Sequence, residues 1–232
     1  MIKNLYLVLI SFLFIIVNYL SFGNNVSTTI NQKGKKTIKN KTAGNDIKIG
    51  SQVWMVKNLN VDKFRNGNAI TQAKSKEDWI KAGLSKQPAW CYYNNDPQNG
   101  TKYGKLYNWY AVNDPRGLAP KGYHVPSDAE WTTLLNVLGD KENAGRKLKS
   151  KEGWNENGNG NNESGFSGLP CGNRGSGNAS FGAIGVTVYW WSSTEGGKES
   201  ACIIGLNCYY NDFSRICGGE KASGFSVRCI KN

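Results

Sequence analysis

The periodic spacing of apolar residues predicts one strong helix near the middle of the chain. Four apolar residues recur at intervals of three and four positions, so they share one face of a helix over 127–138. They are Trp131, Leu134, Leu135 and Leu138. Ser127 and Glu130 have the spacing of a capping box, and Gly139 follows the last apolar residue. The pattern therefore predicts an amphipathic helix whose tryptophan faces a core.

Weaker helix and strand signals lie on either side of this helix. Residues 46–60 predict two short strands joined at a Gly-Ser turn. Ser75 predicts the N-cap of a second helix, with Trp79 directed inward and Gly83 as its stop. A short helix is predicted over 141–149, and the later strand candidates are 186–192, 201–210 and 224–230. Because helices come early and strands late, without regular βαβ alternation, the predicted fold class is α+β.

Residues 1–23 have the pattern of a secretory signal peptide. Lys3 precedes an apolar run over 5–20, and the small residues Ser21 and Gly23 suit a cleavage site. The alternative is a retained anchor helix, although the run is short for a bilayer of about 30 Å. The chain is therefore expected to be extracytoplasmic, either periplasmic, secreted or at the cell surface.

Residues 24–45 predict a flexible basic linker that leads into a single domain over 46–232. The linker holds five lysines and no acidic residue among Asn, Thr and Gly, so it cannot bury enough apolar surface to order the chain. Lysines before the domain supply half of the formal charge of +12. A tether to an anionic polymer or a membrane surface is the functional alternative to a solvated linker. No nucleic-acid partner is expected, because the basic excess lies in a tail of an exported chain.

The small number of histidines restricts the possible chemistry. His124 is the only one in the sequence, which excludes a site with several histidine ligands and disfavours a catalytic triad. We interpret His124 as a turn residue that bonds backbone groups, and Glu130 as a helix cap. The residues therefore predict that the protein is not an enzyme.

Six cysteines in an exported chain predict disulfides rather than metal sites. They are Cys91, Cys171, Cys202, Cys208, Cys217 and Cys229. The absence of a Cys-x-x-Cys pair disfavours zinc-ribbon and thioredoxin-type sites. At least two disulfides are expected. A hairpin that turns near Asn211 and Asp212 would bring Cys208 and Cys217 together, which makes them the first choice of pair.

Seven motifs in a fixed order identify a family resemblance over about residues 46–232. They are IGSQVWMVKNLN at 49–60, WCYYNND at 90–96, YGKLYNWYAVN at 103–113, GYHVPSDAEWTTLLNVLG at 122–139, GFSGLP at 165–170, FGAIGVTVYWWSSTE at 181–195 and GFSVRCIKN at 224–232. Together they resemble the Fibrobacter succinogenes major paralogous domain, which is common in exported bacterial proteins.

The resemblance implies a fold more than a reaction. The family is similar to the C-type-lectin-like superfamily, including its formylglycine-generating-enzyme branch. This implies two helices flanking small twisted antiparallel sheets with long loops, and a first strand over 47–55 that pairs with 226–230. Members often carry a cysteine where this chain has Ala119, so Cys229 is expected to be free or to pair with another cysteine, such as Cys171 or Cys202.

An oxidase of the formylglycine-generating type would need a cysteine pair that binds copper in the C-terminal half. Cys202, Cys208 and Cys217 offer soft thiolate ligands there. Disulfides are the simpler expectation for the same residues in an exported chain.

Aromatic residues beside Asn and Asp predict a binding surface. Neighbouring residues of a strand face opposite sides, so one of Trp190 and Trp191 is expected in the core and the other at the surface. The other candidates for this surface are Tyr93, Asn94, Asn95 and Asp96. An exposed ring beside amide and carboxylate groups suits a sugar. The alternative is that the aromatic residues only fill the core.

Calcium is possible as the one cofactor. Asn94, Asn95 and Asp96 supply side-chain oxygens of the kind that calcium takes, and Asn211 and Asp212 form a second such cluster. The alternative is that these side chains bond their own backbone in Asx turns.

The sequence favours an exported lectin-like module that binds a glycan or another surface ligand, with membrane contact only if the signal segment is retained. The first alternative is a structural or interaction domain of the cell envelope without a small ligand. The second is the oxidase.

Overall fold

The computed structural model describes residues 45–139 and 141–232. The predicted signal peptide at 1–23 and nearly all of the linker at 24–45 lie outside the described residues. The helices are α1 (Lys76–Leu84), α2 (Pro97–Tyr103), α3 (Trp109–Val112), α4 (Asp128–Leu138) and α5 (Lys141–Leu148). The strands are β1 (Asp46–Ile49), β2 (Gln52–Met55), β3 (Thr71–Gln72), β4 (Ala89–Cys91), β5 (Leu106–Tyr107), β6 (Tyr123–His124), β7 (Cys171–Arg174), β8 (Phe181–Ile184), β9 (Thr187–Gly197), β10 (Ser200–Asn207), β11 (Ser214–Glu220) and β12 (Ile230–Lys231). The predicted α+β class is confirmed.

One sheet joins the two ends of the described domain. Its strand order is β1-β2-β12-β6, and all three neighbouring pairs are antiparallel. Ile230 lies opposite Trp54, and the Met55 amide donates to the Cys229 carbonyl at 3.0 Å. The implied pairing of the first and last strands is therefore confirmed. The strand predicted over 224–230 is much shorter, because the residues before β12 make only isolated bridges.

A five-stranded sheet carries the second half of the chain, in the order β11-β10-β9-β7-β8. Trp190 and Trp191 lie on its central strand and pack in different core clusters, as neighbours on a strand do. Trp190 contacts Trp131 and Phe166, whereas Trp191 contacts Phe225. Both indoles are 0% exposed. The prediction that one of them reaches the surface is wrong, because both faces of this strand are covered.

Helix α4 confirms the strongest prediction of the sequence pattern. The Ser127 hydroxyl accepts the Glu130 amide, and the Glu130 carboxylate accepts the Ser127 amide at 2.8 Å, which is a complete capping box. Trp131 is fully buried, and Gly139 ends the helix with a positive φ of 84°. Local capping and the apolar stripe together fix the orientation of this helix.

Helix α1 also begins where predicted but ends later. Ser75 and Asp78 form a capping box, and Trp79 is buried. Gly83 lies within the helix, and a Cβ atom at that position would come within 2.9 Å of the Ala222 Cβ. The glycine therefore permits a close contact between two segments and does not stop the helix.

The structure contains one disulfide, between Cys202 and Cys217. The register of β10 against β11 centres their hairpin between Tyr209 and Tyr210, two residues earlier than the predicted turn. Cys217 therefore lies opposite Cys202, and Cys208 lies in the loop. The predicted Cys208–Cys217 pair and the expected second disulfide are both wrong.

The four other cysteines are free and buried: Cys91, Cys171, Cys208 and Cys229. Cys229 is thus free, which was one of the outcomes left open by the absence of a cysteine at Ala119.

Candidate functional site

The segment from Tyr93 to Asp96 forms a tight turn that leads into α2. Asn94 and Asn95 adopt left-handed backbone conformations, with φ of 53° and 56°, which asparagine tolerates better than most residues. The Asp96 carboxylate caps α2 by accepting the Gln98 amide at 2.9 Å. Most of the polar groups proposed for ligand binding therefore serve the local fold.

Two side chains of this turn point toward the rest of the domain. Tyr93 is buried against Phe181, with 5.3 Å between ring centroids. Asn95 donates from Nδ2 to the Lys74 carbonyl at 2.5 Å, and its Oδ1 is buried without a partner in the described part of the chain. The turn is thus fixed by contacts on both sides.

The two tryptophans predicted for the binding surface act as internal hydrogen-bond donors. The Trp190 indole donates to Asn58 Oδ1 at 2.9 Å, and the Trp191 indole donates to the Tyr107 carbonyl at 2.8 Å. Tyr93, Trp190 and Trp191 belong to three different core clusters. The structure therefore does not bring the predicted residues into one groove.

A cleft with a volume of about 820 Å³ offers a different site. It lies where the chain after β2, helix α2 and the loops after α5 meet Arg228. Its lining residues are Val56, Lys57, Asn58, Asn60, Gly100, Thr101, Lys102, Tyr103, Gly104, Ser150, Lys151, Glu152, Asn162, Ser167, Leu169 and Arg228. Ligand pockets typically measure about 300–1,000 Å³, so this cleft has room for a small ligand.

Arg228 is the buried charge of the cleft. Its side chain donates to the Met55 carbonyl at 3.1 Å and to the Phe166 carbonyl at 2.7 Å. Nε and Nη2 donate to Asn58 Oδ1 at 3.0 and 2.8 Å. All of these acceptors are neutral, so the hydrogen bonds fix the guanidinium without neutralising it. Burial lowers the pKa of Arg228 to about 10, which leaves the side chain a cation at neutral pH.

Asn58 links Arg228 to the other groups at the cleft. Its Nδ2 donates to the Tyr103 carbonyl at 2.8 Å and to Cys171 Sγ at 3.1 Å, while its Oδ1 accepts from Trp190 and Arg228. One amide therefore joins five segments of the chain. This network fixes the base of the cleft before any ligand arrives.

The thiol beside this network is not activated for nucleophilic chemistry. Burial raises the pKa of Cys171 to about 11, so the protonated form dominates at neutral pH. Burial likewise raises the pKa of Cys229 to about 12. A reactive thiolate would need the opposite shift.

Two walls of the cleft hold unusual backbone conformations. Asn162 and Ser167 have positive φ of 49° and 56°. Asn162 Nδ2 donates to Ser167 Oγ, and the Ser167 backbone amide donates to Asn162 Oδ1, each at 2.8 Å. Gly104 has a φ of 80°, and a Cβ atom there would come within 2.8 Å of the Leu59 carbonyl. Sparsely populated conformations of this kind occur often at ligand sites, where the surrounding structure holds them in place.

Positive charge exceeds negative charge along the lining. Lys57, Lys102 and Lys151 are exposed at the cleft, with Glu152 as the acidic lining residue. With Arg228, the lining carries four cations and one carboxylate. The cleft therefore has a positive potential.

A separate group of possible metal ligands lies beside α4. One ligand atom from each of Asp128, Cys202 and Cys217 lies within 4.8 Å of the others. The two sulfurs are bonded to each other, and Asp128 pairs with Arg215, so the group does not present free thiolates. Cys208, the third cysteine considered for an oxidase, is buried elsewhere in the loop.

His124 has side-chain partners rather than the expected backbone partners. Its Nε2 lies 2.7 Å from Glu130 Oε1, and its Nδ1 lies 2.8 Å from Asn232 Oδ1. The carboxylate of Glu130 is at the same time the helix cap, as predicted. The pair ties α4 to the end of the chain.

Sequence reasoning missed Arg228 because the surrounding pattern hides it. The residue stands between the buried Val227 and Cys229, in a segment that we predicted as a strand. In a regular strand it would face away from those neighbours. The available signal was a lone arginine inside an otherwise apolar and small-residue segment, GFSVRCI.

The comparisons with known proteins identify a family. Among the described residues, no helix combines the length and apolar character needed to cross a membrane. No curated protein and no solved structure matches the chain. The profile of the Fibrobacter succinogenes major domain matches residues 47–231, which is most of the chain and nearly all of the described part. The chain therefore belongs to the Fibrobacter succinogenes major domain family.

Proposed function

We propose that this protein is an extracytoplasmic binding module that holds a saccharide in the cleft. The observation that carries the proposal is a cleft of about 820 Å³ whose base is fixed by Asn58 and Arg228. Sites of this kind pre-organise their polar groups and thereby reduce the entropy lost on binding.

The chemistry of the lining suits a ligand with many hydroxyl groups. Amide, hydroxyl and ammonium groups line the cleft. Amides and hydroxyls can donate to or accept from the hydroxyls of a ligand, and ammonium groups can donate to them. Examples are Asn60, Thr101, Lys102 and Ser150. Val56 and Leu169 add apolar contacts. A purely apolar ligand would leave most of these polar groups without partners.

The C-type-lectin-like fold is part of the same proposal. The pairing of β2 with β12 and the long loops between α5 and β7 support it. So does the position of the cleft, since those loops supply much of its lining. The disulfide supports export, because disulfides persist mainly in oxidising compartments.

No catalytic role and no metal ion enter the proposal. The buried thiols have raised pKa values, and Asp96 and Asn95 are engaged in capping and turn contacts. The calcium prediction for that turn has its own test. A thermal-shift titration with calcium and with EDTA should leave the melting curve unchanged under this proposal.

A glycan-array screen followed by calorimetry of the full chain tests the proposal. Thr101→Trp places a bulky ring in the cleft without removing a hydrogen bond made within the described part of the chain, so it should abolish binding. Thr133→Trp is the matched control, because Thr133 is an exposed helical threonine that does not line the cleft. Saccharide binding that survives Thr101→Trp would place the ligand elsewhere. Absence of binding in the wild-type chain would favour the envelope-structural alternative.

A further inference from the structure

The cations of the cleft have no carboxylate partner within the described part of the chain. None of the five ion pairs found between described residues involves a lining residue. Lys57, Lys102 and Lys151 thus have no carboxylate partner in the described part of the chain. On an ordinary surface such lysines are solvated and do not indicate a binding site. Here they surround a concave site, where charges of one sign reinforce each other.

Arg228 adds a buried charge that no carboxylate of the described residues neutralises. A guanidinium has five N–H groups, and four hydrogen bonds from Arg228 are found, all to neutral acceptors. One Nη2 N–H therefore has no acceptor in the described part of the chain. Buried charges are normally paired, because their removal from water is unfavourable. An anion in the cleft would supply the missing opposite charge.

We infer that the saccharide bound in the cleft carries an anionic group, which the lysines attract and which approaches Arg228. This inference rests on the proposed function, because it specifies the ligand class of the same cleft. The shared chemistry is a polyhydroxylated ligand with a carboxylate or a sulfate. An oxygen of the anionic group can accept the remaining Nη2 N–H of Arg228, and the ammonium groups around the cleft attract its charge.

Calorimetry with matched ligands separates this inference from the proposed function. The probes are an oligogalacturonate, its neutral methyl ester and a sulfated oligosaccharide of similar length, each titrated into the full chain. We expect one of the two acidic probes to bind about tenfold more tightly than the ester at low salt, and to lose that advantage at high salt. Equal affinity for acid and ester would overturn the inference and leave the proposed function in place. No binding by any probe would overturn both.

Lysine variants locate the charge effect in the cleft. Lys57→Gln, Lys102→Gln and Lys151→Gln should each weaken binding of the acidic probe about threefold and leave binding of the methyl ester unchanged. Lys121→Gln is the control, because Lys121 is exposed and does not line the cleft. These lysines are exposed, so their substitution removes a charge without the loss of stability expected for Arg228 variants. An equal loss with Lys121→Gln would show general charge attraction and overturn the inference.

The lysine-rich segment at 24–45 is a second source of attraction for a polyanion. Thr101→Trp separates the two sources, because it fills the cleft and leaves all of those lysines unchanged. Loss of the acid preference in this variant supports the inference. Full acid binding by Thr101→Trp would assign the preference to that segment and contradict it.

Discussion

Two buried arginines divide the domain into a closed region and an open one. Arg174 and Arg228 are each 1% exposed, and each guanidinium lies beside two aromatic rings. Arg174 donates to three backbone carbonyls, of Ala73, Ser75 and Ala179, at 2.8 to 3.1 Å. Arg228 makes similar bonds but also lines the cleft. A buried cation can thus serve as a joint between segments, and only its position beside a cleft makes it a candidate for binding.

The two arginines contact aromatic rings in different parts of the core but at similar distances. Arg174 lies 4.8 Å from the Trp79 ring and 4.7 Å from the Phe181 ring, in the cluster beneath α1. Arg228 lies 4.4 Å from the Phe166 ring and 5.7 Å from the Trp190 ring, in the main core. Cation–π contacts and neutral acceptors let the domain bury each charge without a carboxylate. The two regions therefore differ in whether the arginine lines a cleft, and not in the contacts that hold its charge.

The largest expected effect is on stability, and it should be similar in the two regions. Arg174→Met and Arg228→Met each leave several buried acceptors unpaired, so each should lower the free energy of unfolding by about 3–5 kcal/mol. Denaturant unfolding measures both. Arg116→Met is the control, because Arg116 makes a partly exposed ion pair with Asp114 and should change stability by less than about 1 kcal/mol. If only Arg228→Met had a small effect on the free energy of unfolding, Arg228 would not be needed to stabilise the fold.

The disulfide gives a stability change that involves neither arginine. Cys202→Ala combined with Cys217→Ala opens a loop with a sequence separation of 15, which should lower the free energy of unfolding by about 3 kcal/mol. The same denaturation experiment measures it, with reduced wild-type protein for comparison. Saccharide affinity should stay unchanged, since neither cysteine lines the cleft. Loss of binding in the double variant would show that saccharide binding depends on the hairpin of β10 and β11, which contradicts this prediction.

Ligand protection should separate the two arginines. An acidic saccharide at a hundredfold excess over its dissociation constant should stabilise the wild-type chain by about 2.7 kcal/mol. The stabilisation should persist in Arg174→Met and shrink in Arg228→Met, because only Arg228 lines the cleft. Thermal unfolding with and without the acidic probe measures it. Equal stabilisation of both variants by the acidic probe would show that Arg228 does not contribute to binding.

The smallest expected effect is on the acid side of the stability curve. Burial raises the pKa of Glu130, but hydrogen bonds from the Ser127 backbone and from His124 outweigh it and leave the pKa below its ordinary value near 4.5. A lowered carboxyl pKa contributes stability above the unfolded value, and this contribution is lost as the pH falls below it. Arg228, with a pKa of about 10, stays charged in this range and contributes nothing to the change.

Unfolding of Glu130→Gln and wild type between about pH 3 and pH 6 measures this contribution. The variant should show a flatter acid limb than the wild type. An identical acid limb would show that Glu130 caps α4 without an ionic contribution. Ser127→Ala, which removes the cap hydroxyl, should lower stability by about 1 kcal/mol near pH 6 and by less as Glu130 becomes protonated.

Features fixed by nearby residues were predictable from the sequence. The N-cap at Ser75 and the capping box at Ser127 depend on residues within one helical turn, and both form as predicted. The apolar stripe of α4 likewise determines that Trp131 is buried. The pairing of the chain ends came from the family resemblance and could not have come from periodicity.

Features fixed by distant residues were not predictable. The loop between β10 and β11 contacts the distant Lys149, whose buried ammonium donates to the carbonyls of Asn207 and Tyr210. The burial of Trp190 and Trp191 depends on β9 being central in its sheet, which a single strand cannot reveal. The cleft depends on four separate stretches of the chain. No local pattern brings these stretches together.

Chemical-shift mapping of the labelled full chain with oligogalacturonate tests the central claim most directly. We predict that the largest amide shifts fall at Lys57, Thr101, Lys102 and Lys151, with the Arg228 side chain also affected, while the amides around Arg174 stay unchanged. The exposed pair Tyr209 and Tyr210, at 64% and 65% exposure, offers the obvious alternative surface. Shifts confined to those tyrosines, or no shifts at saturating saccharide, would contradict the assignment of the cleft as the binding site.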